Sequence, residues 1–137
     1  MIGERALRWI LIVIAVFHVA TGSLALLAPD TFFEQIGHYG VENSHYVGDV
    51  GAFILAFGVA MGISVVRPAW RPPILWLGAL WYGFHAINHA FDAGEAKSEA
   101  RGWADAIWIG LGALGAAWLA RVSERLNAQR DGGGVRG

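Results

Sequence analysis

The sequence predicts an all-α integral membrane protein, a four-helix bundle with its N- and C-termini in the cytoplasm. Three observations support this prediction. The 137-residue chain is 55% hydrophobic and 15% charged, with a mean hydropathy of +0.45, whereas a soluble domain carries about 25% charged residues. Its apolar residues form four segments of roughly 20 residues, the length at which a helix crosses about 30 Å of hydrocarbon. Its arginines are concentrated at alternate ends of those segments.

The four segments are predicted to be the transmembrane spans of a single domain, residues 1–125. Backbone groups inside hydrocarbon must be hydrogen-bonded within their own segment, so each span is expected to be a helix. The predicted spans cover about residues 6–28, 46–66, 74–91 and 103–120.

Breaks in the apolar pattern separate these spans. Pro29 ends the first, a proline-rich turn that contains Arg67 and Arg71 follows the second, and polar residues 92–102 follow the third. In the first loop, Asp30 is expected to cap a short helix. The glycine-rich residues 126–137 are predicted to be a disordered C-terminal tail.

The orientation follows from the distribution of positive charge. Eight arginines lie on one side of the predicted topology: Arg5, Arg8, Arg67, Arg71, Arg121, Arg125, Arg130 and Arg136. The other side has only Lys97 and Arg101 among its acidic residues. Since positive residues are retained on the cytoplasmic side, the chain is predicted to be a multi-pass protein of the plasma (inner) membrane, with the lipid bilayer as its immediate partner.

Composition also excludes several kinds of chemistry. The chain has no cysteine, which excludes disulfides, thiolate metal ligands and cysteine nucleophiles. One lysine and nine dispersed arginines form no continuous basic face, so no nucleic-acid partner is expected. Glycines are frequent inside the spans, and the GxxxG step of Gly58 and Gly62 predicts close packing of helices.

Polar side chains within the spans are distributed unevenly. Such groups are costly in hydrocarbon and usually face the interior of a bundle. The spans contain six histidine, aspartate or asparagine side chains: His18, Asp49, His85, Asn88, His89 and Asp105. Because the spans alternate in direction, all six fall in the outer half of the bundle or at its centre. This asymmetry predicts a site in the outer half.

Two pairs of residues in this set have the spacing of metal ligands. His85 and His89 are four residues apart, so they project from one face of the third helix. That face also holds Trp81, Asn88 and Asp92. His45 and Asp49 are four residues apart on an antiparallel span, near the same end. Imidazoles with a carboxylate suit transition metals, so His45, Asp49, His85 and His89 are predicted to bind a Zn, Cu or Fe ion.

Other interpretations of the polar residues stay open. His18 and His85 lie on two helices at similar depth, as the axial ligands of haem b would, with Gly22 and Gly83 leaving room for the porphyrin. The same side chains would also suit a hydrogen-bond network that only holds the helices together, or a pocket for a lipid, a quinone or another small molecule. His38 lies in a loop and is expected to be a solvated surface residue.

Several short motifs add a family resemblance. They are Gly22 with Leu24 to Pro29, Gly48-Asp49-Val50-Gly51-Ala52, the glycine-rich run to Arg67-Pro68, and His85-Ala86-Ile87-Asn88-His89-Ala90-Phe91-Asp92. Over about residues 6–120 the chain resembles the small four-helix bacterial membrane proteins grouped as DoxX-like. The resemblance implies a four-helix membrane bundle. Named DoxX proteins act with a quinol oxidase partner in thiosulfate oxidation, but no catalytic motif matches residue by residue, so that activity does not carry over.

The sequence therefore predicts an integral membrane binding protein with a His/Asp site in the outer half of the bundle and a transition-metal ion as the leading ligand. One alternative is a structural or accessory membrane subunit, with other subunits or its own copies as partners. Another is a membrane oxidoreductase that works with haem or a quinone. No catalytic residue is identified, and a binding protein is favoured over an enzyme.

Overall fold

The computed structural model describes residues 2–37 and 39–133. Over these ranges the chain consists of helices and connecting loops without a strand, which confirms the predicted all-α class. His38 and residues 134–137 lie outside the described residues. The elements are α1 (Glu4–Leu27), α2 (Pro29–Gln35), α3 (Ser44–Val66), α4 (Arg71–Phe91) and α5 (Glu99–Gly133), with 3₁₀ turns at Pro68–Trp70 and Ala93–Glu95.

Each predicted span falls on one of the four long helices. Helices α1, α3 and α5 are long and apolar enough to cross a membrane. Helix α4 has 21 residues, about 32 Å at 1.5 Å per residue, but its imidazoles, asparagine and arginine lower its hydropathy.

The last helix is longer than the predicted span. Helix α5 continues to Gly133, so residues 126–133, which were assigned to the tail, are helical in the structure. The Asn127 side-chain amide donates a hydrogen bond to the Pro68 carbonyl at 3.0 Å. This contact holds the extension against the turn before α4, and a hydropathy pattern does not reveal it.

The first loop contains a short helix, as expected, although Asp30 does not cap it. Helix α2 begins at Pro29, whose missing N–H is no loss in the first turn of a helix. The Asp30 carboxylate instead accepts a hydrogen bond from the Ser44 hydroxyl at 3.0 Å. This bond joins α2 to the start of α3.

Helices α1 and α3 pack as an antiparallel pair with their backbones in contact. A Cβ atom added at Gly51 would lie 2.6 Å from the Leu26 nitrogen, and one at Gly58 would lie 2.7 Å from the Val19 nitrogen. Gly22 faces the α3 backbone in the same way, so it leaves no room for a porphyrin. Small residues permit this approach, as the sequence predicted for Gly58.

Helices α4 and α5 form a second antiparallel pair. The Trp76 indole N–H donates a hydrogen bond to Glu124 at 2.8 Å near one end, and Gly102 packs on the Ala93 backbone at the other. We call the end where α1 and α4 begin the arginine-rich end, and the opposite one the histidine-rich end. The two pairs share a core nearer the arginine-rich end: Leu7, Leu11, Ala15, Phe57, Met61, Val65, Leu75, Leu119 and Ala120.

Arg71 joins three helices at the arginine-rich end, where its side chain is only 1% exposed. Its Nε and Nη2 donate hydrogen bonds to the carbonyls of Ser64 and Val65 at 3.0 and 3.1 Å. Its Nη1 forms an ion pair with Glu4 at 2.9 Å. The last carbonyls of a helix lack partners within it, so Arg71 of α4 caps α3 and ties it to α1. The charge distribution in the sequence predicts only that Arg71 helps to set the orientation in the membrane, and it does not predict this cap.

Candidate functional site

A cavity of about 530 Å³ lies between the two helix pairs at the histidine-rich end. The α4 face that was predicted from residue spacing lines it, with Trp81, His85, Asn88, His89 and Asp92. Helix α3 contributes Val50 and Ile54, α5 contributes Arg101 and Asp105, and the loop after α2 contributes Tyr39. We call this space the polar cavity, because its lining includes these charged and hydrogen-bonding side chains.

Tyr39 organises one side of the polar cavity. Its hydroxyl donates a hydrogen bond to Asp105 Oδ2 at 2.9 Å, and the Arg101 Nε lies 3.9 Å from the same oxygen. Its ring meets the His89 ring edge-on, with centroids 4.5 Å apart. Desolvation and the bond to Asp105 raise the pKa of Tyr39 to about 12, so the hydroxyl stays a donor at physiological pH. Sequence reasoning did not select Tyr39, because a loop residue has no periodicity to reveal its position.

His85 and His89 lie together, as their spacing predicted. Their rings meet edge-on with centroids 4.5 Å apart. Neither imidazole is hydrogen-bonded to another residue in ranges 2–37 and 39–133, and the buried His89 Nδ1 has no partner there. A buried polar atom left unpaired costs about 1–3 kcal/mol. These two rings therefore have hydrogen-bonding capacity to offer a ligand.

His45 and Asp49, the other half of the predicted metal site, lie elsewhere. They face each other at 3.6 Å on α3, with side chains that are 80% and 67% exposed. Neither lines the polar cavity, which α3 reaches through Val50 and Ile54. Within the described part of the chain, no three His, Asp or Glu side chains come together as metal ligands would. The four predicted ligands are thus divided between two places, because the backbone of α3 packs against α1.

His18, the other predicted haem ligand, is 3% exposed and already hydrogen-bonded at both nitrogens. Its Nδ1 donates to the Ile14 carbonyl at 2.6 Å, and its Nε2 accepts from the Tyr82 hydroxyl. This tautomer follows because a carbonyl can only accept. The Trp81 ring contacts both His18 and His85, with centroids 6.1 and 6.3 Å away. In this arrangement neither nitrogen of His18 is available to a haem iron.

A second cavity, of about 560 Å³, lies nearer the middle of the helices and is almost entirely apolar. All four long helices line it, and it shares Trp108 and Ile109 with the polar cavity. We call this space the apolar cavity, and both together the crevice. Val13 and Phe17 of α1 and Trp108 of α5 line the apolar cavity while 66%, 59% and 71% exposed. The seam between α1 and α5 is therefore open at its side.

The crevice has hydrogen-bonding groups at one end and an apolar interior at the other. Imidazoles both donate and accept hydrogen bonds when neutral, and the apolar walls suit a hydrocarbon body. The arrangement therefore complements a molecule with a polar group at one end. Comparisons with protein families, curated proteins and solved structures find no match for this chain, so its resemblance to DoxX-like proteins stays a prediction.

Proposed function

We propose that this chain is an integral membrane protein that binds a lipophilic small molecule in the crevice, with the ligand's polar group at His85 and His89. It crosses the membrane four times as a bundle, and both termini are cytoplasmic. The apolar character of α1, α3 and α5 supports the membrane location. The excess of arginine at one end supports the orientation. The polar cavity then lies in the outer half.

The pair of unpartnered imidazoles beside a cavity carries this proposal. In hydrocarbon, an unsatisfied polar group costs several kcal/mol. A ligand that hydrogen-bonds to the accessible nitrogens of His85 and His89 would remove part of that penalty. The two cavities, of about 530 and 560 Å³, also fall within the roughly 300–1,000 Å³ of small-molecule sites.

An organic ligand fits this site better than the transition-metal ion that the sequence favoured. A protein metal site needs about three or four side-chain ligands, and no such group is present in residues 2–37 and 39–133. Asp105, the carboxylate bonded to Tyr39, is also engaged by Arg101. A few hydrogen-bonding groups beside apolar walls suit a quinone or a lipid with a hydrogen-bonding head group.

The test is to identify what the protein retains when it is purified from membranes in a mild detergent. Organic extraction and mass spectrometry are expected to find about one equivalent of one lipophilic compound per chain. In His89→Leu, the dissociation constant should rise about tenfold, because one buried hydrogen bond of about 1.4 kcal/mol is lost, so less of the compound is retained than by the parent.

His45→Leu is the matched control, since this exposed histidine of α3 lies outside the crevice. It should retain the compound as the parent does. The proposal fails if no extracted compound distinguishes His89→Leu from His45→Leu. It also fails if the parent instead binds one zinc or copper ion per chain and His89→Leu abolishes that binding.

A further inference from the structure

A separate polar pocket of about 270 Å³ lies at the arginine-rich end, away from the crevice. Its charged side chains come from three helices: Glu4 and Arg8 of α1, Arg71 of α4 and Arg130 of α5. Three guanidinium groups face one carboxylate, so the pocket has an excess of two positive charges. These residues are distant in sequence, and only the fold brings them together.

Two of the three arginines have no acidic partner among the residues that the structure describes. Arg71 is engaged by Glu4 and by the carbonyls at the end of α3. Arg8 and Arg130 are exposed and form no ion pair with any residue that the structure describes. By contrast, Arg121 lies 3.8 Å from Glu124. Guanidinium groups bind phosphate through paired hydrogen bonds, so Arg8 and Arg130 are available to a phosphate group.

Apolar surface adjoins this pocket. Val66 lines it and is 71% exposed, and Trp9 in the first turns of α1, at the same end of the bundle, is 64% exposed. Tryptophan is enriched where lipid head groups meet hydrocarbon. A phosphate bound in the pocket would therefore lie at the edge of a surface that suits acyl chains.

We infer that this pocket binds the phosphate of an anionic phospholipid, with the acyl chains along the apolar surface that includes Val66. Basic pockets between membrane helices bind anionic head groups in this way. The excess positive charge favours a head group without an amine, such as phosphatidylglycerol, over phosphatidylcholine. The inference is independent of the crevice and of which end faces the cytoplasm.

Native mass spectrometry of the full chain in detergent tests this inference, with phosphatidylglycerol, phosphatidylcholine and inorganic phosphate as probes. Phosphatidylglycerol is expected to bind at least about tenfold more tightly than phosphatidylcholine. The double variant Arg8→Gln/Arg130→Gln should weaken phosphatidylglycerol binding about tenfold or more, since two charge-assisted contacts are lost. Arg71 is left unchanged because it caps α3.

The control is Arg5→Gln/Arg125→Gln, which removes the same charge from exposed positions outside the pocket. It should alter binding by less than about twofold, because distant exposed charges are screened by salt. The inference is overturned if the control loses as much affinity as the pocket variant, or if the pocket variant binds like the parent. Equal binding of phosphatidylcholine also overturns it. Displacement of the lipid by an equal concentration of inorganic phosphate would make free phosphate the ligand and overturn the lipid assignment.

Discussion

Polar residues at the histidine-rich end and along the crevice fall into two groups. Some hydrogen-bond to another residue of the chain, and others make only ring contacts with the residues that the structure describes. His18 and Tyr82 satisfy each other across helices, and Tyr39 and Asp105 do the same from loop to helix. Their bonds hold the walls of the crevice in place. His85 and the neighbouring His89 make ring contacts instead, which leaves their nitrogens for another molecule. The first kind should matter for stability, and the second for binding.

Tyr39→Phe tests the structural kind. The ring contact with His89 is retained and only the hydroxyl bond to Asp105 is lost, so the free energy of unfolding should fall by about 1 kcal/mol near neutral pH. The pKa of Tyr39 is raised from 10.0 to about 12, so the unfolded chain loses this proton first as pH rises. The stabilisation is therefore complete below pH 10 and is lost as pH rises to about 12.

Thermal unfolding of the parent and Tyr39→Phe, compared at about pH 8 and about pH 11, measures this difference. The difference in unfolding temperature between the parent and Tyr39→Phe should be smaller at the higher pH. Tyr46→Phe is the control, because Tyr46 is 66% exposed and its hydroxyl bonds to no described residue. If both variants unfold like the parent at each pH, the Tyr39 hydroxyl does not stabilise the fold.

Glycines determine how closely helices α1 and α3 approach each other. In the α1–α3 pair, glycines bring the backbones together, and Gly58 meets both His18 and Val19. The same close packing positions His18, whose ring lies at the apolar cavity. Packing of this kind cannot adjust to an added methyl group without moving a whole helix.

Gly58→Ala should therefore separate α1 from α3. The new Cβ would lie 2.7 Å from the Val19 nitrogen and 2.9 Å from the His18 Cβ, and such overpacking costs about 1–3 kcal/mol. Unfolding by a denaturing detergent measures the loss. Gly83→Ala is the control, since nothing lies within 4 Å of a Cβ there, and the change favours the helix by up to about 1 kcal/mol. Equal stability of the two variants would show that the α1–α3 contact is not close.

Local sequence patterns account for what could be predicted from the sequence, and long-range packing accounts for what could not. Helix positions and the α4 face of His85 and His89 follow from hydropathy and the helical repeat, which neighbouring residues determine. Which helix faces which does not follow from spacing. Spacing and matching depth predict that Asp49 lies beside the α4 histidines, but glycines pack α3 on α1 and leave the Asp49 side chain 67% exposed. Tyr39 was missed because its position depends on a loop.

The molecule as a whole consists of two antiparallel pairs joined nearer the arginine-rich end. The buried core holds them together there, and the crevice separates them towards the other end. The proposed four-span topology requires α4 to cross the membrane with α5, although α4, unlike α1, α3 and α5, is not among the helices whose composition suits a membrane span. The side of the membrane on which each loop and the C-terminus lie distinguishes a topology of four spans from one of three.

Single-cysteine variants test this topology cleanly, because the chain has no cysteine. A membrane-impermeant maleimide added to intact cells should label Val41→Cys and Lys97→Cys, in the loops of the histidine-rich end. It should label Ala128→Cys only after the membrane is permeabilised. Protection of Lys97→Cys in intact cells would mean that α4 does not cross, and labelling of Ala128→Cys would place the C-terminus outside.

The sideways opening between α1 and α5 determines whether the concentration of ligand in the lipid or in water governs occupancy of the crevice. Trp108 and Phe17 border this opening and are largely exposed, so in a bilayer this opening leads into the lipid. The relevant quantity is then the mole fraction of ligand among lipids. At a fixed total amount of ligand, adding empty vesicles would dilute it and lower saturation, even though the aqueous volume and the protein are unchanged.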